Sequence, residues 1–341
     1  MGSGRWDPST YATNTRSKIA SGTNMGYSRA VQSGQVAAAV HDLLDPKKVA
    51  GPASPLAGQI VREARDNDEH PNSVPIMLSF DETGSMGSVP LALQKKLAEF
   101  FGLVVRKGYV EDPQLSVGAY GDATNGEVAP LQVGQFESDN RADETLDALY
   151  LEGNGGGNNG ETAALVWYYA AKHTATDAWE KRGKKGYLFT IGDERTHGVT
   201  RSMIDHYIGV GHGLEKDLTA KEVAEMAQER WDVYHVVIRN ASSQGQRSIE
   251  HYTELLGADH VLVLEDVDAV CETIALQIGL AEDTIDLDEG LAHLDEIGSG
   301  AHKGEVSKAL AHYQGKGGGG AVAVAEAPVD LADDAGGVDR L

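Results

Sequence analysis

Residues 74–80 read VPIMLSF, and residues 81–87 continue as DETGSMG. The first segment is a nearly unbroken apolar run, which is typical of a strand that is buried on both faces of a parallel sheet. The second segment combines acids, hydroxyls and two glycines, a composition that suits a tight polar loop. Together they predict a central strand that ends in a functional loop at one edge of a sheet.

Buried strands and helices then alternate along the chain. The predicted strands after the first are QLSVGAY (114–120), PLQVGQF (130–136), GYLFTIGD (186–193), VYHVVI (233–238) and HVLVLE (260–265). The segment 130–136 is shorter and alternates in polarity, as an edge strand does. Apolar residues at helical spacing separate these runs, for example over 92–105, 163–170 and 267–280. This order predicts an α/β fold with a doubly wound, mostly parallel six-stranded sheet that is flanked by helices on both faces.

The sequence outside the alternating pattern divides into three flanking segments around one main domain over 72–281. The predicted segments are an irregular N-terminal arm over 1–71 with one helix near 31–44, a C-terminal extension over 282–314 with a short helix at 305–313, and a tail of glycine, alanine and acids over 315–341. The tail has too few large apolar residues to offset the entropy of ordering, so we expect it to be disordered.

Composition limits the classes of partner. The 341 residues include 29 basic and 52 acidic side chains, a net charge of −23. A protein that binds nucleic acid or anionic membranes by neutralising phosphates has the opposite balance, so both partners are disfavoured.

The single cysteine, Cys271, permits neither a disulfide framework nor a cysteine-based zinc site. No apolar run approaches the roughly 18 residues of a membrane span, and the N-terminus has no apolar signal core, so we expect a cytoplasmic protein.

The loop after the first strand carries three oxygen side chains at alternate positions: Asp81, Thr83 and Ser85. Alone, this spacing is equally typical of a turn that leads into a helix cap. Two more oxygen-bearing residues stand at other loop or strand ends. Thr162 follows a glycine-rich loop where the next helix begins, and Asp193 ends a later buried strand. Because the carboxyl ends of parallel strands meet at one edge, the five residues predict a composite site for a hard divalent cation.

The set Asp81-x-Thr83-x-Ser85, Thr162 and Asp193 resembles the metal-ion-dependent adhesion site of von Willebrand factor A domains, over residues 72–281. The resemblance implies a central sheet with one short antiparallel edge strand. It implies that the hydroxyls of Thr83, Ser85 and Thr162 bind Mg²⁺, with Mn²⁺ or Ca²⁺ as alternatives, and that Asp81 and Asp193 hold the ion directly or through water. A carboxylate from a partner protein would complete the coordination.

The same resemblance suggests a bacterial or phage intracellular branch of the family, whose members often act as adaptors for AAA+ ATPases of the MoxR type. Four further acids, Glu82, Asp122, Glu161 and Glu194, are expected near the same rim. They form either a solvated acidic edge or a group that tunes metal affinity and meets basic residues of the partner.

Two other functions compete with a protein-binding module. The segment DETGS is also similar to the phosphorylated-aspartate motif of haloacid-dehalogenase-type phosphotransferases, in which Asp81 would be the nucleophile. That chemistry needs a lysine and a later acidic pair, and the segment from Gly192 to His197 lacks the second acid at the right place. An RNA-associated role would need a basic surface, which a net charge of −23 makes improbable. We therefore predict a non-enzymatic, Mg²⁺-dependent protein-binding adaptor.

Overall fold

The structure is a computed structural model that describes residues 6–86, 89–153, 160–209, 214–239 and 244–314. Its strands are β1 (Arg62–Ala64), β2 (Ser73–Asp81), β3 (Asp112–Tyr120), β4 (Leu131–Val133), β5 (Thr174–Thr176), β6 (Gly186–Gly192), β7 (Trp231–Ile238) and β8 (Val261–Leu264). Six of them form one sheet in the order β4-β3-β2-β6-β7-β8. All neighbours in it are parallel except β3 and β4, which are antiparallel. The predicted sheet and its short antiparallel edge strand are confirmed.

The helices are α1 (Pro8–Ser21), α2 (Gly26–Gln32), α3 (Val89–Phe101), α4 (Arg141–Asp147), α5 (Ala163–Lys172), α6 (Asp177–Arg182), α7 (Arg201–Tyr207), α8 (Ala220–Gln228), α9 (Gly245–Leu256), α10 (Val270–Ala281), α11 (Leu287–Glu296) and α12 (Lys303–Ala309). The helical segment predicted over 163–170 lies within α5. The segment over 92–105 corresponds to α3 and the π-helical turn Gly102–Arg106 that follows it, and the segment over 267–280 corresponds to the 3₁₀ turn Val267–Ala269 and α10. The remaining two strands, β1 and β5, pair in parallel outside the main sheet.

Helices cover the sheet on both faces, so two apolar cores form. Successive residues of a strand point to opposite faces, and β2 accordingly sends Ile76 and Leu78 into one core and Met77 into the other. The first core is closed by α3 and α10, for example by Phe100. The second is closed by α5, α8 and α9, with Trp167 at its centre. The near-continuous apolar character of β2 follows from this double burial.

The N-terminal arm packs on the main domain through a helix that the apolar pattern does not reveal. Helix α1 begins after Asp7, whose carboxylate accepts hydrogen bonds from the backbone N–H groups of Ser9 and Thr10. An acidic N-cap followed by Pro8 is a helix-start signal that depends on capping rather than on apolar spacing. Tyr11 of α1 is buried in the first core, and its hydroxyl donates to the Gln94 carbonyl at 2.7 Å.

The helix predicted over residues 31–44 is wrong beyond Gln32. Helix α2 ends at that residue, and Gly34 with φ of +74° adopts the left-handed backbone that stops a helix. The chain then runs irregularly to Leu44, which is buried in the first core. The Leu44 carbonyl accepts a hydrogen bond from the Val133 N–H of β4 at 2.8 Å. The arm thus covers the exposed edge of the sheet, where an unpaired strand would otherwise invite aggregation.

The C-terminal extension also packs on the main domain. Leu294 of α11 and Val306 of α12 are fully buried in the first core. The short helix predicted over 305–313 is present as α12, which begins slightly earlier, and a following 3₁₀ turn. The predicted disordered tail over 315–341 lies outside the described residues. Among the helices of the described ranges, none is both long and apolar enough to cross a membrane.

The burial of Tyr11 predicts that α1 contributes to the stability of the whole domain. Replacing a buried aromatic side chain by alanine leaves a cavity, so we expect Tyr11→Ala to lower the free energy of unfolding by about 3 kcal/mol. Urea denaturation followed by circular dichroism measures this change. Asn14→Ala, at an exposed position of the same helix, is the control and is expected to change the value by less than about 0.5 kcal/mol. Equal effects of the two variants would mean that α1 does not pack on the domain in solution.

Candidate metal centre

The candidate site lies where the parallel strands β2, β3 and β6 end together. Asp81 is the last residue of β2 and stands in register with Tyr120, the last residue of β3. On the other side of β2, Phe80 stands opposite Ile191 of β6, and Asp193 follows that strand directly. Asp81 and Asp193 therefore project from neighbouring strand ends, at the edge where open α/β sheets bind ligands.

Thr162 is brought to the same edge by hydrogen bonds rather than by a strand. Its hydroxyl donates to the Gly121 carbonyl at 2.6 Å, and its backbone N–H reaches the same oxygen at 3.0 Å. The preceding residue, Glu161, donates its N–H to the Arg195 carbonyl at 2.8 Å, and the His197 N–H donates to the Glu161 carbonyl at 2.8 Å. The start of α5 is thus tied to the segment after β3 and to the segment after β6.

Asp81 is the electrostatic centre of this edge. Its carboxylate is fully buried, and its Oδ1 accepts a hydrogen bond from the Thr83 N–H at 2.8 Å. Its Oδ2 is also buried and has no hydrogen-bond partner within the described part of the chain. Burial, and then the nearby charges of Asp193 and Glu194, raise the pKa of Asp81 to about 8, against the opposing effect of the hydrogen bonds from Thr83. A buried carboxylate in this state lacks a compensating positive charge.

Close packing of the strand ends depends on Gly192. A Cβ at this position would clash with the Tyr120 hydroxyl and would lie 3.4 Å from the Asp81 Cβ. The Tyr120 hydroxyl occupies that space because it donates to the Ile191 carbonyl at 3.0 Å. The absence of a side chain at Gly192 therefore allows β3 and β6 to approach Asp81 from both sides.

Of the five predicted site residues, Asp81, Thr83, Thr162 and Asp193 lie at this edge and are buried. The Asp193 carbonyl is fixed by the Ser248 hydroxyl of α9, which donates to it at 2.7 Å. Ser85 lies in the 3₁₀ turn over Gly84–Met86 that follows, but its side chain is outside what the structure describes.

The donor set fits a hard cation. Asp81 Oδ2 is an unpaired carboxylate oxygen. The Thr162 hydroxyl donates its proton to Gly121 and accepts one hydrogen bond, from the Ala123 N–H at 3.2 Å. Since a hydroxyl oxygen has two acceptor lone pairs, Thr162 keeps one for an ion. Oxygen ligands of this kind suit Mg²⁺, Mn²⁺ or Ca²⁺.

The interpretation of the neighbouring acids as a solvated edge is wrong for three of the four. Glu82, Asp122 and Glu161 are at most 4% exposed, whereas Glu194 is partly exposed. Burial, followed by the charges of Asp81 and Glu127, raises the pKa of Glu161 to about 10. These acids are packed into the loops around the site, and a cation bound there would favour the ionised form of a neighbouring carboxyl group.

Two residues that the sequence motifs did not single out, Glu127 and Glu152, lie beside Glu82. One carboxylate oxygen of each lies within 4.8 Å of those of the others. A weak signal exists, because Glu127 follows the carboxyl end of β3 in the loop that also contains Asp122. Their approach to Glu82 depends on how the loops fold and has no counterpart in the sequence spacing.

No protein-family model and no curated protein matches the sequence. Solved structures give similarities at low identity. The pilus adhesin SpaC from Lactobacillus rhamnosus GG is 12% identical with a TM-score of 0.45, over 64% of this chain and 32% of the adhesin. A von Willebrand factor type A protein from Catenulispora acidiphila is 14% identical with a TM-score of 0.36, over 62% of this chain and 43% of that one. Proximal thread matrix protein 1 from the mussel byssus, solved with a zinc-occupied metal-ion-dependent adhesion site (MIDAS) motif, is 12% identical with a TM-score of 0.37. The similarity covers 62% of this chain and 46% of that protein.

These structural neighbours thus include von Willebrand factor A proteins, and the chain spans less than half the length of each of the three. The fold class itself follows from the order and direction of the strands described above.

The raised pKa of Asp81 predicts a pH dependence of stability in the absence of metal. A carboxyl group with a raised pKa in the folded state stabilises the fold while it is protonated, and this contribution is lost as the pH rises from about 4 toward the folded value of about 8. We expect the free energy of unfolding in EDTA to fall between pH 5 and pH 8, and to fall less in Asp81→Asn. Urea denaturation at the two pH values measures both changes. An equal fall in the variant would contradict the assignment to Asp81.

Proposed function

We propose that the protein is a divalent-cation-dependent binding adaptor, in which Mg²⁺ is held by Asp81, Thr83, Ser85, Thr162 and Asp193. The observation that supports this most directly is the buried Asp81 Oδ2, which has no hydrogen-bond partner in the described part of the chain and lies among other acids. An ion at this position would supply the missing positive charge. Mn²⁺ and Ca²⁺ are the alternative ions for the same oxygen ligands.

Capture of a partner follows from the balance of charge in that ligand set. Neutral hydroxyls from Thr83, Ser85 and Thr162 contribute no negative charge. If the two aspartates act through water, a bound Mg²⁺ would remain able to attract one more anionic ligand. In our proposal this ligand is an Asp or Glu side chain of a partner protein. The role of the chain is then to hold the oxygens in place, and no bond is made or broken.

The partner must also tolerate the charge of the chain. With a net charge of −23, the chain would repel an acidic partner surface unless Lys or Arg residues surround the donated carboxylate. We propose an AAA+ ATPase of the MoxR type as the partner class and the cytoplasm as the location, on the basis of the family resemblance of the sequence. Nucleic acids and anionic membranes do not suit the same negative surface.

A phosphotransferase with Asp81 as the nucleophile finds no support. Asp81 is fully buried beside Asp193 and Glu194, so these acids would repel a phosphate ester that approached it. The segment after β6 also lacks the second acid of that motif at the right place.

Mg²⁺ is expected to raise the melting temperature of the protein, and Thr162→Val is expected to reduce that rise. A ligand that binds only the folded state stabilises it by RT ln(1 + [L]/Kd), about 2.7 kcal/mol at 100 times Kd. Thr174→Val is the matched control, because Thr174 is also buried and its hydroxyl donates to the Ala170 carbonyl. It lies beyond the other end of α5, about 15 Å along the helix. Differential scanning calorimetry with and without Mg²⁺ measures the shifts. If Thr162→Val kept the full shift, Thr162 would not be a ligand.

Partner binding is expected to depend on the ion and on Asp81 alike. Affinity capture from a native lysate would be carried out in Mg²⁺, in EDTA, and in Mg²⁺ with Asp81→Ala, with proteins identified by mass spectrometry. We expect the partner to be captured in the first condition and lost in the other two. The same captured proteins in all three conditions would exclude metal-bridged binding.

A further inference from the structure

We propose that Glu82, Glu127 and Glu152 form a second cation site, separate from that of Asp81, which takes a hard divalent ion of the Ca²⁺ class. The three residues come from three different segments: the end of β2, the loop between β3 and β4, and the segment after α4. The inference does not depend on the proposed adaptor function, because it uses none of the five residues assigned to the first site.

The separations of the three carboxylates match a shared ion. One oxygen of each lies within 4.8 Å of the corresponding oxygens of the other two. Ca²⁺ binds oxygen at about 2.3–2.6 Å, so two ligands on opposite sides of one ion are about 4.6–5.2 Å apart. The three glutamates therefore need little movement to face a common point.

Two of these carboxylates are buried, and each has one oxygen without a hydrogen-bond partner among the residues that the structure describes. Glu82 is 3% exposed and Glu127 is 5% exposed. Glu82 Oε1 and Glu127 Oε1 make no hydrogen bond to any residue that the structure describes. A buried carboxylate oxygen loses its hydration and must recover that energy from another group. A cation among the glutamates would compensate the buried carboxylates and favour their ionised form.

The other oxygens of the same side chains are held in place by donors. Glu82 Oε2 accepts hydrogen bonds from the Gln132 amide at 3.0 Å and the Glu152 N–H at 3.3 Å. Glu127 Oε2 accepts from the Asp122 N–H at 2.7 Å. Outer hydrogen bonds of this type orient metal ligands in proteins. Each of these two carboxylates is thus fixed through one oxygen, while the other accepts no hydrogen bond from the residues that the structure describes.

Glu152 completes the set from the segment after α4. Its carboxylate accepts the Val128 N–H at 3.0 Å and the Ala129 N–H at 3.3 Å. These bonds connect it to the chain directly after Glu127, so the two glutamates are held by the same loop.

Packing around the glutamates is close at Gly121. A Cβ at this position would clash with Glu127 Oε2 and would lie 3.2 Å from Glu82 Oε1. Only glycine leaves room for the two carboxylates at that point.

The ligand chemistry favours Ca²⁺ over smaller or softer ions. Zn²⁺ prefers His and Cys ligands, and the cluster consists of carboxylates alone. Mg²⁺ demands near-ideal octahedral geometry and usually takes one or two carboxylates, whereas Ca²⁺ accepts six to eight oxygens in a flexible arrangement. Three carboxylates, with backbone or water oxygens to complete the shell, suit the larger ion.

Equilibrium dialysis of the full-length chain against CaCl₂, followed by metal analysis, tests the proposal. Glu127→Gln keeps the size of the side chain and removes its charge, and it is expected to bind one Ca²⁺ fewer per chain than the wild type. Asp81→Asn is expected to retain that ion. Glu272→Gln is the matched control, because Glu272 is a buried glutamate that pairs with Lys96 in another part of the fold. It should bind as much Ca²⁺ as the wild type.

Melting temperatures provide a second measurement that does not depend on counting ions. In EDTA, Glu127→Gln is expected to melt above the wild type, because a buried acid beside two other glutamates is replaced by an uncharged amide of similar size. In CaCl₂ the wild type should gain stability that the variant does not. The second site would be overturned if the wild type and Glu127→Gln bound equal amounts of Ca²⁺ and were stabilised equally by it. It would also be overturned if Asp81→Asn lost the same ion as Glu127→Gln. If Glu127→Gln does not fold, Glu152→Gln replaces it, with the same expected loss and the same contrary result.

The first and second sites fail separately in this design. If Asp81→Asn abolishes the Mg²⁺ effect while Glu127→Gln abolishes only the extra Ca²⁺, both assignments stand. If Glu127→Gln loses its ion but Asp81→Asn and Thr162→Val both keep the full Mg²⁺ shift, the adaptor site is wrong and the second site remains.

Discussion

Acidic side chains are concentrated and buried at the carboxyl edge of the central sheet, and hydrogen bonds compensate them only in part. Six acids with at most 5% exposure lie there, contributed by the ends of β2 and β6 and by the loops between the elements: Asp81, Glu82, Asp122, Glu127, Glu161 and Asp193. Burying carboxylates side by side costs free energy unless protons, hydrogen bonds or cations balance them. The fold accepts this cost at the carboxyl edge of the sheet, and the candidate metal centre lies there.

The sheet supplies the frame that keeps these acids together. Residues of β2 are buried on both faces in two separate cores, so the strand that carries Asp81 has little freedom to shift. The close approach at Gly192 and the hydrogen bonds from Thr162 to Gly121 fix the neighbouring loops around it. Preorganised oxygens need not be gathered when a ligand arrives, which favours binding. The arm and the C-terminal extension add to the same first core and support the frame from outside the strand-helix alternation.

Sequence patterns were most informative where burial was complete. Continuous apolar runs predicted the strands because a strand between two helix layers has no polar face. The patterns were least informative for α1, whose stability comes from the Asp7 cap and a few contacts such as Tyr11. They were equally uninformative for residues 33–44, where Leu44 is buried, Val36 and Leu43 are exposed, and no helix forms. The binding role of Asp81, Thr83, Ser85, Thr162 and Asp193 stays a prediction, and the structure places the described side chains of this set at one edge.

The sequence by itself determined the alternation of strands and helices, the excess of acids and the oxygen-bearing motif after the first strand, because each is encoded in local composition and spacing. Only the tertiary structure decided that Glu82, Asp122 and Glu161 are buried rather than solvated, and that Glu127 and Glu152 approach Glu82. Loop conformation and side-chain packing set these distances, and residues far apart in the chain carry no local signal of their meeting. The physical reason is that burial and contact are properties of the assembled loops, which depend on every segment that packs against them.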